Sequence, residues 1–277
     1  MFFLLHSPSG FPAWALPSTL LFGVRTFLAA PGAARLPGLQ AQHIAGLRSH
    51  DVPVSRPHPI VRGGFRARFA VLTAGLVLYG WGDLLTVRAD VGLGPWDVLH
   101  QAISRHAHVS FGVVMVATSF AVLLLAAALG ERPGLGTLMN ALVVGSSFYV
   151  FDRLDFAPRL HGGVAGIALD LAGIAAIGLA SALYIGASMG AGPRDSLMLA
   201  VARRGARISV ASVSIQVSAL AVGWILGGSV GVGTLLFAFG LGPCMEAAFW
   251  VLVRLGVTQP PHPQAVVAAA RPAIGSR

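Results

Sequence analysis

The pattern G-x-G-P-x-D occurs twice in the chain, as G-L-G-P-W-D at residues 92–97 and as G-A-G-P-R-D at residues 190–195. Its glycines permit a sharp break in the backbone, and its proline suits the first position of a new helix, where no backbone N–H is needed. Each copy therefore predicts a short helix that begins at the proline. The glycines and prolines that build the two breaks are Gly92, Gly94, Pro95, Gly190, Gly192 and Pro193.

The acid that ends each copy has the most evident chemistry. Asp97 and Asp195 fall at the third helical position, where a carboxylate faces exposed N–H groups and the positive end of the helix dipole. Two such N-termini can bind an anionic group, or they can hold a carboxylate that couples transport to an ion or a proton. Capping of an interfacial helix is the alternative role for the same acids. The pattern leaves both roles open.

The two copies differ in the side chains around these acids. Trp96 of the first copy is replaced by Arg194 in the second, and His100 is replaced by Met198. Arg194 beside Asp195 is a candidate anion-binding pair, and alternatively it is one of several arginines that follow the positive-inside rule. We include Trp96 and His100 among the candidate site residues.

Glu246 is an acid within an apolar run. An acid at the centre of a membrane helix costs roughly 2.5–3.5 kcal/mol and is by default a functional-site hypothesis. Glu246 is therefore a further candidate for a substrate or ion site. Asp83 and Asp170 lie nearer the ends of apolar segments, and we expect them to reach the membrane interface.

The elements that position these residues are membrane helices. Of the 277 residues, 55% are hydrophobic and only 10% are charged, against roughly 25% charged in a soluble domain, and the mean hydropathy is +0.76. A helix of about 20 apolar residues crosses the hydrocarbon core and satisfies its backbone hydrogen bonds internally. The sequence therefore predicts an all-α membrane protein with six transmembrane helices, at residues 69–87, 109–129, 135–151, 163–187, 208–226 and 230–253.

A second motif pair indicates an internal duplication. G-x-G-T begins at residues 134 and 231, which are 97 positions apart, and the two G-x-G-P-x-D copies are 98 positions apart. Two motif pairs in the same order at nearly the same offset are typical of a repeat. Repeat one spans about residues 69–152 and repeat two about 163–253.

Three spans per repeat would place the second repeat upside down relative to the first. Such inverted repeats are common in secondary transporters. The prediction depends on the segment 95–106, which is short and polar, not crossing the membrane. If it did cross, each repeat would have four spans and the repeats would be parallel.

The charges predict the orientation of the chain. With six spans and a cytoplasmic N-terminus, the cytoplasmic parts sum to a net charge of +12, whereas the outer loops 88–108 and 152–162 are each neutral. The positive-inside rule therefore places both termini in the cytoplasm.

The two ends of the chain lack the apolar periodicity of the middle. Residues 1–68, with many Pro and Gly, predict a disordered or loosely ordered basic cytoplasmic tail, and residues 256–277 predict a flexible cytoplasmic tail. An alternative is that the chain in native membranes begins near residue 60, which the intact mass of the natively expressed protein tests.

Several functional classes are disfavoured. The net charge of +9 carries no nucleic-acid motif or aromatic platform. The single cysteine, Cys244, excludes an internal disulfide and a cysteine-based zinc site. A serine protease at Ser188 needs a histidine base on a later span, and the only later histidine, His262, lies in the tail. We predict no enzymatic activity, no cofactor and no metal site.

The combined motifs G-L-G-P-W-D (92–97), P-G-L-G-T-L-M-N (133–140), G-A-G-P-R-D (190–195) and G-V-G-T-L (231–235) resemble those of the YczE/YyaS/YitT family of bacterial integral membrane proteins. The similarity is greatest to the YczE-like branch and covers about residues 69–255. It implies a multi-pass protein of the bacterial inner membrane, and it implies no particular substrate or reaction.

The leading functional hypothesis is a secondary transporter or permease of a small solute, because repeats and broken helices occur together. One alternative is a non-transporting accessory protein that supports other membrane or biosynthetic machinery. Another is a membrane binding subunit that serves an energising partner. The expected partners are the lipid bilayer, a small-molecule solute, and a second copy of the chain or another membrane protein.

Overall fold

The computed structural model describes residues 60–259. The predictions for residues 1–59 and 260–277 lie outside the described residues. Within the described range, six helices are long and apolar enough to cross a membrane. In chain order with the two short helices α2 and α6, the elements are β1 (Ile60–Val61), α1 (Phe65–Ala89), α2 (Pro95–Ala107), α3 (Phe111–Ala128), α4 (Leu135–Arg153), α5 (Gly163–Ala187), α6 (Pro193–Ala202), α7 (Ile208–Ile225), α8 (Val232–Arg254) and β2 (Thr258–Gln259).

The prediction of six long apolar helices is confirmed. The main difference concerns the borders of the predicted tails. Helix α1 begins at Phe65, four residues before the predicted first span. Strands β1 and β2 pair antiparallel, with Ile60 opposite Gln259. Residues 60–68 and 256–259, which the sequence analysis assigned to the tails, therefore contain regular structure that joins the two ends of the described chain.

Helices α1 and α5 form the centre of the helical assembly and pack antiparallel. The Arg68 Nε group, in the first turn of α1, donates to the carbonyl of Ala187 at the end of α5, 2.7 Å away. At the other end, a Cβ placed on Gly166 of α5 would touch the carbonyl of Ala89. Helix α4 packs on the outside of α1, and α8 packs on the outside of α5.

Small residues allow the central helices to approach closely, as is usual for helices in lipid. A Cβ on Gly75 would lie 3.1 Å from the carbonyl oxygen of Ala180, and a Cβ on Gly82 would lie 3.1 Å from the carbonyl oxygen of Gly173. Around these contacts the apolar core is completely buried, with Leu72, Leu76 and Leu84 at its centre.

Two backbone hydrogen bonds hold the breaks that precede the short helices. The Gly233 N–H donates to the Val91 carbonyl over 2.8 Å, and the Gly136 N–H donates to the Met189 carbonyl over 2.9 Å. Val91 and Met189 directly precede the two G-x-G-P-x-D copies, and Gly136 and Gly233 are the second glycines of the G-x-G-T motifs. We call these two hydrogen bonds the cross-contacts, because each joins the break in one half of the chain to a helix start in the other.

The first glycine of each break is required for two reasons, its φ angle and its close contact with another segment. Gly92 and Gly190 have φ angles of 112° and 143°, which L side chains rarely adopt. A Cβ on Gly92 would lie 2.5 Å from the Gly231 nitrogen, and a Cβ on Gly190 would lie 2.9 Å from Thr137 Oγ1. The backbone conformation and the close approach at the cross-contacts both exclude a side chain.

Arg88 fixes the end of α1 shortly before the first break. Its side chain is 4% exposed and forms ion pairs with Asp152, at 2.9 Å, and Asp155, at 2.7 Å. It also donates to the carbonyl of Ala157. The hydrogen bonds from Arg88 and Arg159 hold the pKa of the exposed Asp155 carboxyl below its usual range. These contacts join the end of α1 to the loop between α4 and α5.

We predict that Gly233→Ala destabilises the protein, whereas Gly240→Ala on the same helix does not. A methyl group at Gly233 collides with the Gly92 carbonyl, and overpacking of this kind costs about 1–3 kcal/mol. At Gly240 the same methyl group meets Ile174 at an ordinary 3.5 Å, and helix propensity favours Ala over Gly by about 1 kcal/mol. Thermal unfolding in detergent measures both. Equal transition temperatures for the two variants would refute the role of the cross-contacts.

Candidate functional site

A cavity of about 290 Å³ lies where the N-termini of α2 and α6 meet. The ranges 94–97 and 192–195, which belong to the two G-x-G-P-x-D copies, both line it, and every helix from α1 to α8 contributes at least one residue. Much of the remaining wall is apolar. The uncharged polar side chains apart from tyrosine are Ser119, Asn140, Ser181, Ser212 and Gln216.

Both short helices begin at the motif prolines. The Val98 N–H donates to the Gly94 carbonyl over 3.0 Å, and the Ser196 N–H donates to the Gly192 carbonyl over 2.8 Å. The carboxylates of Asp97 and Asp195 turn back towards the starts of their own helices, since each Oδ2 lies within 3.4 Å of a Cβ built on the preceding motif glycine. Both acids therefore line the cavity while they face a helix N-terminus. This geometry accommodates the binding role and the capping role together.

Asp97 is paired with His100 behind the cavity wall. The Nδ1 atom of His100 lies 3.2 Å from Asp97 Oδ1, and the side chains are 1% and 3% exposed. The imidazole packs edge-on against Phe111, with ring centroids 5.9 Å apart. His100 is not among the residues that line the cavity, but it contacts two residues that do, Asp97 and Trp96.

Arg194 and Trp96, which occupy the same position of the two motif copies, meet in the cavity. The guanidinium carbon of Arg194 lies 5.0 Å from the centroid of the Trp96 ring. A cation–π contact of this kind contributes about 0.5–2 kcal/mol, with the larger values at desolvated sites. The contact joins the start of α2 to the start of α6, and it keeps the charge of Arg194 at the cavity next to Asp195.

Two tyrosines complete this wall, and neither was among the predicted site residues. The Tyr184 hydroxyl donates to Asp195 Oδ2 over 3.3 Å, and the Tyr79 ring packs edge-on against the Tyr184 ring at 6.4 Å. The chain contains only three tyrosines. A polar aromatic residue inside an apolar segment was the signal that could have identified these two.

The expectation that Asp83 and Asp170 reach the membrane interface is wrong. The two residues are 2% and 1% exposed. Helix α1 continues to Ala89, so Asp83 lies well inside it, and Asp170 lies on the part of α5 that packs against α1. Among the described residues, the Oδ2 atoms of Asp83 and Asp170 have no hydrogen-bond partner. Asp83 also interacts electrostatically with Asp97 and Arg194.

Glu246 lies outside the cavity wall. The residues of α8 that line the cavity are Phe237, Leu241 and Met245, which follow one another at the four-residue spacing of a single helix face. Glu246 is one position further along, and its half-buried side chain is therefore on a different side of α8. The structure brings Asp97, Asp195, Arg194 and Trp96 together and leaves Glu246 apart.

A group of three His, Cys, Asp or Glu side chains that could hold a metal ion does not occur in the described range 60–259.

We predict that the cavity is accessible to water. In a Cys244→Ala background, Ser212→Cys should react with a charged, water-soluble thiol reagent faster than Ser214→Cys. Ser212 lines the cavity, whereas Ser214 is exposed on the outer surface of the same helix. The reactive species is the thiolate, which forms in water and is disfavoured in lipid. Labelling rates in proteoliposomes measure the difference, and a slower or equal rate at Ser212 would indicate a dry cavity.

Comparison with known proteins identifies a family and two relatives. Residues 66–249 match DUF6198, a family of unknown function. An uncharacterized protein of Haemophilus influenzae is 34% identical over 187 residues, which cover 67% of this chain and 85% of the relative. The uncharacterized membrane protein YczE of Bacillus subtilis is 29% identical over 175 residues, or 62% of this chain and 80% of YczE. The resemblance to YczE-like proteins is therefore confirmed. No solved structure matches the chain.

Proposed function

The chain belongs to the DUF6198 family, and on that premise we propose that it is a secondary transporter or permease of a small solute. One observation carries the proposal. Two broken-helix N-termini converge on one partly polar cavity, surrounded by six helices that are long and apolar enough to span a membrane. Discontinuous helices whose ends point at a common site are typical of secondary transporters. The proposal includes no enzymatic reaction.

The proposal includes two repeats of opposite orientation. At the repeat offset of 98, helix α5 is the counterpart of α1, and these helices are antiparallel. The same offset makes Gly173 the counterpart of Gly75 and Ala180 the counterpart of Gly82. Gly75 packs on Ala180, and Gly82 packs on Gly173. Replacing every residue by its counterpart in the other half turns one of these contacts into the other, as two-fold symmetry requires. This reciprocity supports a pseudo-two-fold axis in the membrane plane.

The two cross-contacts are related by the same two-fold symmetry. The offsets of 97 and 98 relate Gly136 to Gly233 and Val91 to Met189, so each cross-contact is the counterpart of the other. Helix α2 also packs against α7 of the other half, while α6 packs against α3. An interface built in this way supports alternating access, in which one half rocks against the other around a site at the shared axis.

We further propose a location in the bacterial inner membrane with both termini in the cytoplasm, because the excess of arginine then lies on the cytoplasmic side. In this orientation the turn between α3 and α4 is cytoplasmic, and the turn between α7 and α8 faces outwards.

The opposite orientation of the repeats predicts that equivalent turns lie on opposite sides of the membrane. Arg132→Cys and Ser229→Cys, each in a Cys244→Ala background, are equivalent at the offset of 97. A membrane-impermeant thiol reagent should label Ser229→Cys in right-side-out vesicles and Arg132→Cys in inside-out vesicles. Labelling of both from the same side would support four spans per half and parallel repeats instead.

At the cavity, Arg194 supplies a fixed positive charge, and Asp97 and Asp195 supply carboxylates on opposite halves. A solute bound between these groups contacts both repeats at once. Movement of one repeat against the other then changes the contacts of the solute with the two helix N-termini. Asp97 and Asp195 should therefore be needed for transport as well as for the start of each short helix.

We predict that Asp97→Asn and Asp195→Asn abolish solute-induced charge movement in proteoliposomes on a solid-supported membrane, with organic anions, amino acids and organic cations as the panel. Asp90→Asn is the control, because Asp90 is an exposed loop residue at a φ angle of 54°, a conformation that asparagine tolerates. The control should retain the wild-type signal.

A folded wild-type protein that gives no signal with any of these solutes would favour an accessory protein or a binding subunit for an energising partner. Asp97 and Asp195 would then have a capping role. The exposed apolar surface of α7, including Trp224 and Ile225, would be available to lipid, to a second copy of the chain or to a membrane partner.

A further inference from the structure

We propose that Asp83 binds and releases the proton that drives this transporter, and that Asp97 and His100 convey its charge to the cavity. The inference rests on the proposed transport function and adds to it the coupling ion and the residue that carries it.

Asp83 occupies the position in the first half that corresponds to a cavity-lining residue of the second half. At the repeat offset of 98 its counterpart is Ser181, which lines the cavity and is 5% exposed. Within α1, Asp83 lies one turn after Tyr79, which also lines the cavity. Among the described residues, Asp83 Oδ2 has no hydrogen-bond partner. The side chain is therefore a buried carboxyl with one unpartnered oxygen, on a helix that lines the cavity.

Electrostatic interactions connect Asp83 to the site. Asp83 interacts electrostatically with Asp97, which repels its negative charge, and with Arg194, which attracts it. Asp97 in turn is 3.2 Å from His100, whose ring is enclosed by Trp96 and Phe111. A proton on Asp83 removes the repulsion at Asp97 and so changes the electrostatic field that a solute in the cavity experiences.

The balance of charge around Asp83 favours a proton. The tyrosines and charged groups with electrostatic interactions in this region are Tyr79 on α1, Asp97 and His100 on α2, Tyr184 on α5, and Arg194 and Asp195 on α6. Three carboxyls, those of Asp83, Asp97 and Asp195, therefore share one permanent positive charge. An uncompensated carboxylate inside an apolar assembly is costly, and proton binding removes the charge.

A proton fits this site better than a divalent metal cation does. A divalent cation such as Ca²⁺ or Mg²⁺ needs several converging oxygen ligands. In the described part of the chain, no group of three His, Cys, Asp or Glu side chains could hold such an ion. A single carboxyl with one partnerless oxygen is sufficient for a proton.

The two halves of the chain differ in the residues at the proposed proton site. The counterparts of Asp83, Asp97 and His100 in the second half are Ser181, Asp195 and Met198, so only the carboxyl at the motif position is retained. Asp195 accepts a hydrogen bond from the Tyr184 hydroxyl instead. The proton site therefore belongs to one repeat only, although the cavity is shared by both.

Infrared difference spectroscopy of the full chain in lipid tests the proton site without any solute. In a pH titration, the wild type should show a protonated-carboxyl band that is lost in Asp83→Asn and retained in Asp170→Asn, which removes a second buried carboxyl whose Oδ2 atom has no hydrogen-bond partner. His100→Gln should shift the midpoint of the Asp83 band. Asp83→Glu should keep a titrating band at a displaced frequency, and this variant preserves the test if Asp83→Asn fails to fold.

A difference spectrum that is unchanged in Asp83→Asn would overturn the proposal, as would a wild type without a titrating carboxyl band. A second measurement applies a pH step alone to proteoliposomes on a solid-supported membrane. The charge displacement should be lost in Asp83→Asn and retained in Asp170→Asn, and equal displacement in Asp83→Asn and wild type would refute coupling. If wild type moves no solute but the Asp83 band titrates, the transport function fails while the proton site stands.

Discussion

The two cross-contacts are the interactions on which the rest of the structure depends. A helix that is interrupted inside a membrane protein exposes backbone N–H and C=O groups, and lipid offers them no partner. Here the Val91 and Met189 carbonyls, which would otherwise be unpaired at the breaks, accept hydrogen bonds from Gly233 and Gly136. Glycine is required because the two chain segments approach within backbone contact distance. These contacts allow α2 and α6 to begin next to the cavity.

The position of the cavity follows from this backbone arrangement. Because each break is held by the opposite half of the chain, the starts of α2 and α6 face each other, and Trp96 and Arg194 come into contact. Asp97 and Asp195 then line the same cavity as Arg194, and the Asp83 carboxyl is buried in α1, which also lines the cavity. The same geometry that satisfies the backbone therefore brings charged groups of both halves to one cavity. This link between fold and charge underlies both proposals.

Local sequence signals identified the elements and most of the site. Apolar length predicted the six long helices, which agree within a few residues at most ends and completely for α5 (Gly163–Ala187). Proline and glycine predicted where α2 and α6 start, since their backbone limits act within one or two residues. The two motif acids, Asp97 and Asp195, line one cavity. The resemblance to YczE-like proteins was also carried by these short motifs, and the family comparison supports it.

What the sequence by itself determined is therefore what depends on neighbouring residues: helix length, helix start, membrane location and the duplicated motifs. Only the tertiary structure decided which side chains share a space, because that depends on how helices far apart in the chain are rotated and paired. It placed Asp83 in the interior instead of at the interface, added Tyr79 and Tyr184 to the wall, and separated Glu246 from the cavity by one step of helical rotation. Rotation about a helix axis is set by packing between helices, and the short sequence patterns do not contain it.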